Sequence, residues 1–242
     1  MDVGKKLRIA VTCATHKGSR RLNEDSYLAL VGDSAPCGTL GLLAVADGIG
    51  GLGTGETASK LAVKTLADVF SASCSIANST RSDVPHLLRF AVQKANAAVF
   101  QTQLDNKDLQ GMGTTCVAAA VTSDVVHIVS IGDSRAYLFH KRDLIPLTVD
   151  EWIKRSDGIT AVNQAIGWQP LLPTEPASHK IDENDLLLLC TDGLTDGLPE
   201  ESMIKILSTG ETEKACATLA QAVGERPDSD NVTVVVARLV RE

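Results

Sequence analysis

The chain has 242 residues, 44% of them apolar and 22% charged, with 8 prolines, a globular composition long enough for one large domain or two small ones. Its 23 Lys and Arg stand against 30 Asp and Glu, and a net charge of −7 with two Trp, two Tyr and four Phe supplies neither the counter-charge nor the stacking platform that nucleic acid requires. No apolar run approaches the roughly 20 residues of a membrane span, and Arg8 interrupts the N-terminal apolar stretch before any cleavage signal. Six scattered cysteines form no C-x-x-C pair, so a cytoplasmic protein with reduced thiols and no membrane insertion is expected, with Cys116 and Cys190 as small core hydrophobes.

Short β-branched runs at 7–14, 27–31 and 40–46 read as the first strands. Two helical patterns follow: Ala58, Leu61, Ala62, Leu66, Val69 and Phe70, then Leu87, Leu88, Ala91, Val92, Ala95, Ala98 and Val99, the second opening after Ser82 and Asp83 with Pro85 in its first turn. The Ser-, Thr- and Asn-rich stretch 71–82 between them predicts a loop. Strands resume at 114–122, 125–131 and 135–140. Residues 148–176, with Trp152, Gly158, Gly167, Pro170, Pro173 and Pro176, read as a mobile, short flap-like excursion over one face. A strand at 185–191, helices at about 199–208 and 212–224, and a last strand from Val232 to Leu239 complete the order. Blocks of strands separated by helix pairs predict an α+β fold with helices covering antiparallel sheets, and with no repeat or linker the chain 1–242 reads as a single domain.

Aspartates stand where the apolar runs stop: Asp25 before 27–31, Asp47-Gly48 after 40–46, Gly132-Asp133-Ser134 after 125–131, Asp192-Gly193 after 185–191, and Asp230-Asn231 before the last strand. The liking of Asp for turns and caps accounts for any one of them. As a set they have another reading, because several strand ends of an antiparallel sheet share one edge. Two carboxylates about 4 Å apart repel by roughly 4 kcal/mol at an effective dielectric near 20, so a convergent cluster calls for a cation. All-oxygen ligands without His or Cys suit Mg²⁺ or Mn²⁺ and argue against zinc. Two such ions bridged by a carboxylate poise water for in-line attack on phosphorus. Arg20, four residues before Glu24, then acquires a role as a fork onto phosphate; without the acids, Arg20 and Arg21 would read as a solvated basic turn.

Taken in order, Arg20-x-x-Asn23-Glu24-Asp25, Ala46-Asp47-Gly48-x-Gly50-Gly51, Gly111-Met112-Gly113-Thr114-Thr115, Gly132-Asp133-Ser134-Arg135, Thr191-Asp192-Gly193-Leu194-x-Asp196 and Asp230-Asn231 resemble the metal-dependent protein phosphatases, in the form of a bacterial type 2C Ser/Thr phosphatase, over nearly the whole chain. The resemblance implies a four-layer α-β-β-α sandwich of two mainly antiparallel sheets flanked by helix pairs. It implies hydrolysis of phosphoserine and phosphothreonine in proteins, with Mn²⁺ or Mg²⁺ as cofactor, two ions and room for a third. By the same resemblance Asp47 bridges the two ions, Asp192 and Asp230 hold one of them, and Glu24 and the Gly48 carbonyl serve the other, partly through water. Asp25 orients the attacking water, Arg20 holds the substrate phosphate, and Asn231 and Asp196 support the ligands. Asp133 with Asp192 matches the pair that holds the third, weaker ion.

Compact members of this kind resemble the phosphatases that oppose a Ser/Thr kinase in bacterial type VI secretion, with a forkhead-associated scaffold among the targets, so phosphoproteins are the expected partners of a monomeric enzyme. Two departures stand out. Ile49 occupies the position where eukaryotic relatives place a histidine proposed as leaving-group acid, which leaves that proton to water. The excursion after Leu147-Thr148-Val149-Asp150 reaches Ala165-Ile166-Gly167 quickly, with Asp150 and Asp157 as candidates for a further ligand of the third ion.

Rival readings remain open. Gly48-Ile49-Gly50-Gly51-Leu52-Gly53 spells G-x-G-x-x-G with Asp68 downstream, as in a dinucleotide-binding oxidoreductase; but Asp47 and Glu56 flank the loop, and a helix follows where a βαβ unit needs a strand. Gly50 to Thr57 resembles a P-loop with Glu56 in the place of its lysine. Cys13 to Arg20 and Cys74 to Arg81 are each one residue too long for a cysteine-phosphatase loop. A non-catalytic phosphoprotein-binding module of the same fold should have lost some of Arg20, Asp47, Asp192 or Asp230, and none is lost. His16, His86, His127, His140 and His179 show no metal-ligand spacing, and Met112 with Thr114-Thr115 reads as strand packing.

Overall fold

The computed structural model describes residues 7–241 apart from 37, 52, 78–82 and 155–159. In chain order it begins with β1 (Leu7–His16), β2 (Ser26–Val31), β3 (Gly41–Ala46), β4 (Gly48–Ile49), α1 (Thr54–Ala77), α2 (Val84–Asp105), β5 (Gly113–Thr114), β6 (Cys116–Val121), β7 (Val125–Ile131), β8 (Arg135–His140) and β9 (Asp143–Pro146). It continues through the paired β10 (Trp152–Lys154) and β11 (Thr160–Val162), then β12 (Ala177–Lys180), β13 (Leu186–Cys190), α3 (Asp192–Gly197), α4 (Glu200–Leu207), α5 (Thr212–Gly224) and β14 (Val232–Arg241). The expected loop at 71–82 is helix as far as Ala77, and its remainder lies outside the described residues. Cys74 packs there against the core under α1 and α2, and tertiary contact of that kind overrides the weak helix propensity of Ser.

Two five-stranded antiparallel sheets carry the fold, ordered β1-β14-β13-β8-β9 and β12-β7-β6-β3-β2. The pleat sorts alternate side chains into separate layers. Leu43, Val45, Val117 and Ala119 meet Leu187, Leu189, Val235 and Ala237 between the sheets. Leu42, Ala44, Ala118 and Ala120 pack under Leu66 and Phe70 of α1 and Leu88 and Val92 of α2. On the opposite side, Leu186, Leu188, Val234 and Val236 pack against Met203, Leu207 and Leu219 of α4 and α5. This is the expected α-β-β-α sandwich. Its central strands β3, β6 and β13 are buried on both faces, the reason they read as unbroken apolar runs without alternation.

Strand register puts the acidic corners on one rim. Ser26 pairs with Ala46, Cys116 with Ile131, Arg135 with Cys190, and His16 with Val232, so the chain enters or leaves each of these strands at the same end. Gly132-Asp133-Ser134 crosses from one sheet to the other at that end. Gly132 has φ +93, and a Cβ there would lie 2.9 Å from the Thr115 methyl, so the crossing requires glycine.

Part of the expected excursion, the segment around Ile166, is tied to the fold: Thr114 and Ile166 exchange backbone bonds of 3.1 and 2.8 Å, and Ala165 and Ile166 are buried. The buried Asn96 of α2 donates to the Gln169 carbonyl at 2.9 Å and accepts the Gly167 N–H at 2.8 Å. The glycines and prolines there mark turns, and one buried amide supplies the bonds that an irregular backbone lacks. Cys13, Cys116, Cys190 and Cys216 are free, but Cys74 is disulfide-bonded, against the expectation of reduced thiols throughout; scattered spacing in a sequence does not report which cysteines folding brings together. Among the described residues no helix is long and apolar enough to cross a membrane.

Replacing Asn96 by Ala leaves the buried Gly167 N–H without its acceptor, and should cost about 1–3 kcal/mol in urea unfolding. The accompanying sign is faster hydrogen exchange at Gly167; unchanged exchange would show that other contacts hold this segment.

Candidate metal centre

Asp47 leaves β3 with its peptide fixed on both sides. Its N–H donates to the Thr115 hydroxyl at 2.9 Å, and its carbonyl accepts from the Thr115 N–H at 2.9 Å and the Thr114 hydroxyl at 2.7 Å. The Thr115 hydroxyl shares a further 2.7 Å bond with that of Ser134, next to Asp133. Thr114-Thr115, expected only to pack, therefore hold Asp47 in place and tie it to the corner that opens the other sheet. Thr191, also unanticipated, donates to Asp25 Oδ2 at 2.9 Å and accepts the Thr233 N–H at 3.0 Å. Hydroxyl residues beside acidic corners, as in Asp133-Ser134 and Thr191-Asp192, are the signal in the sequence that would have found them.

The loop carrying Arg20 and Glu24 hangs on one side-chain amide. Asn231 accepts the Glu24 N–H at 2.8 Å and donates to the carbonyls of Lys17 and Leu22 at 2.8 and 2.9 Å. The loop approaches so closely that a Cβ on Gly18, where φ is +60, would sit 2.2 Å from the Asp230 carbonyl. Glu24 Oε1 accepts the Gly55 N–H at 3.1 Å in the first turn of α1, where the helix dipole favours an anion.

Burial is the leading influence on the acids. It pushes Asp25 up to about 7, with repulsion from Asp192 and Asp230 adding and the nearby hydroxyls of Thr233 and Thr191 opposing. Asp47 is driven well above the usual carboxylate range by burial and by Asp25 and Asp192. Burial also raises Asp192, and lifts Asp133 to about 6 with help from Asp192. Asp25 Oδ1 and Asp192 Oδ1 are buried without a hydrogen-bond donor. Carboxylates that resist ionising beside one another, with orphaned oxygens, fit hard divalent cations.

Arg20, Glu24, Asp47, Gly48, Asp230 and Asn231 line one cavity of about 730 Å³, with Ile49 in its wall. Asp133, Asp192 and Asp196 line a second, of about 530 Å³. Arg20 donates from Nη2 to Asp230 Oδ2 at 2.6 Å, an exposed pair worth at most about 1 kcal/mol, so a phosphate can compete for the guanidinium. Asp150, a candidate ligand of a third ion, lines the second cavity as well, where Arg135 holds it in a fork, Nε to Oδ1 at 2.8 Å and Nη2 to Oδ2 at 2.6 Å; Asp157 lies outside the described residues. At the opposite rim His140 groups with Asp182 and Asp185, and its 2.7 Å bond to Asp185 with the Asp182 N–H on the same carboxylate accounts for that cluster as a turn network.

The family model described as Protein phosphatase 2C matches residues 13–224. The chain is 32% identical over 212 residues to the serine/threonine phosphatase stp of Listeria monocytogenes, covering 81% of this chain and 83% of that protein. The crystal structure of the catalytic domain of the phosphatase PstP in complex with two manganese ions superposes with TM-score 0.79 at 28% identity, covering 97% of this chain and all of that one. PppA of Pseudomonas aeruginosa, a key regulatory component of its T6SS, superposes with TM-score 0.80 at 26% identity over 96% of this chain and 98% of that one.

A carboxyl whose folded-state pKa is raised stabilises the fold below its unfolded value and withdraws that stability as pH rises through the folded one. Without metal, the melting temperature should therefore contain a decline between about pH 4 and 7 that traces to Asp25 near 7 and Asp133 near 6. Millimolar Mn²⁺ should reverse it, and Asp25→Asn should flatten it. A metal-free melting curve that is identical in the variant across this range would contradict the assignment.

Proposed function

The chain belongs to the protein phosphatase 2C family, and on that premise we propose that residues 1–242 form one phosphatase domain that hydrolyses phosphoserine and phosphothreonine in proteins at the rim described above. What carries the reading is the pair of buried, unpartnered oxygens on Asp25 and Asp192, whose charges reach Asp47, a residue that lines one cavity together with Arg20. When bound, two Mn²⁺ or Mg²⁺ ions supply an acidified water as nucleophile and offset the phosphoryl charge.

The protein's own groups divide the remaining work. Asp47, which feels Asp25, Asp192 and Asp230 together, would hold the cations with Asp192, Asp230, Glu24 and the Gly48 carbonyl. Asp25, its Oδ2 tied to Thr191, keeps Oδ1 as the acceptor that orients the attacking water. Arg20 exchanges Asp230 for the substrate phosphate and holds it in line. Asn231 fixes the loop beneath Arg20 and Glu24, while Asp133 with Asp192, flanked by Asp196, offers the place for a third ion. Ile49 places no proton donor against the leaving oxygen, so that proton comes from water.

In its cellular setting the proposed enzyme is a cytoplasmic monomer opposing a Ser/Thr kinase, with a forkhead-associated scaffold as its proposed target; likeness to PppA, a regulatory component of a T6SS, supports type VI secretion control as the pathway.

Hydrolysis of a phosphothreonine peptide should proceed with Mn²⁺ or Mg²⁺, stop in EDTA, and fall by about a hundredfold or more in Asp192→Asn. Folded protein that binds Mn²⁺ and releases no phosphate would instead be a phosphoprotein-binding module. Arg20→Ala should raise KM by about tenfold, with a smaller effect on kcat. An unchanged KM in steady-state kinetics would remove Arg20 from the phosphate.

A further inference from the structure

Resting on the phosphatase reading above, we propose that Arg21 is a specificity residue that recognises a second anion next to the phosphorylated residue, either an acidic side chain or another phosphoryl group. Arg21 is exposed and lines the same cavity as Arg20, Asp47 and Asp230. The two neighbouring cations differ in what already holds them. Arg20 is bonded to Asp230 at 2.6 Å, whereas Arg21 makes no hydrogen bond or ion pair among the described residues. A substrate anion therefore meets Arg21 without displacing a carboxylate of the protein.

The surroundings give that cation weight. The cavity's other charged members are Glu24, Asp47 and Asp230 beside Arg20, in a chain of net charge −7, so an acidic peptide is disfavoured there except where Arg20 and Arg21 face it. Leu22, 42% exposed, and Ile49 share the wall and keep part of that space apolar, which strengthens a charge-assisted bond formed beside them. Phosphate bound at Arg20 then leaves Arg21 to read the neighbouring residue of the peptide.

The test compares matched phosphothreonine peptides in Mn²⁺ that differ only in flanking residues, Asp, Asn or phosphoserine on either side, with wild type, Arg21→Ala and Arg21→Glu. The readout is the ratio of kcat/KM for the anion-flanked over the Asn-flanked peptide. In the wild type it should be about fivefold to tenfold and shrink with added salt. It should collapse to about one in Arg21→Ala and drop below one in Arg21→Glu. Comparing the Asp and phosphoserine arms tells which anion is preferred. A ratio that survives Arg21→Ala overturns the proposal, as does an equal loss on all peptides, which would make Arg21 a second phosphate contact. If the wild type hydrolyses none of the peptides, the phosphatase reading falls separately, and the same ratio taken from fluorescence-anisotropy dissociation constants still judges Arg21.

Discussion

Repulsion among buried and half-buried carboxylates organises this end of the molecule. Asp25, Asp47, Asp133 and Asp192 are all pushed toward the protonated state, first by burial and then by one another, so the cluster is uphill in the isolated fold. It persists because the sandwich does not depend on it. The layer between the sheets and the two helix-covered layers are filled by apolar side chains from strand interiors, and the acids begin only where those strands end. The same repulsion turns a liability of the fold into affinity for divalent cations.

What holds the acids in place is neutral. Hydroxyls of Thr115, Ser134 and Thr191 and the amide of Asn231 fix peptides and carboxylates at 2.7–3.0 Å without cancelling their charge. Arg135 shows the contrast. Its guanidinium grips Asp150 at two points, and the charge of that carboxylate is matched within the protein.

Exposure follows function across the rim. Asp25 sits deep and Asp47 is half-buried, while Arg20 and Asp230 lie at the surface, 61% and 42% exposed. A weak, solvent-screened pair at the mouth can open and re-form during turnover, which a buried pair could not do cheaply. Ile49 and Leu22 line the same cavity, which therefore combines an apolar wall, two arginines and the acids Glu24, Asp47 and Asp230.

The acids were legible because their chemistry is local: Asp beside Gly, Ser or Asn at the end of an apolar run marks a strand end, and six motifs in order, five of them carrying an Asp, resemble one family. The layers were legible because unbroken apolar runs such as Leu186–Cys190 need burial on both faces. Other features depended on partners distant in sequence. Thr191 meets Asp25 across 166 positions and Asn231 meets Lys17 across 214, so no window of sequence shows that these polar groups are bonded. Asn96 likewise converts a glycine- and proline-marked stretch into an anchored one, and the disulfide at Cys74 follows the same logic. Sequence alone determined which residues could ligate a cation and which runs must be buried, since both are properties of single residues and their near neighbours. Tertiary structure decided which oxygens remain without donors and which of two neighbouring arginines is engaged in an ion pair, because hydrogen bonds and ion pairs are settled only when separate strand ends meet in space.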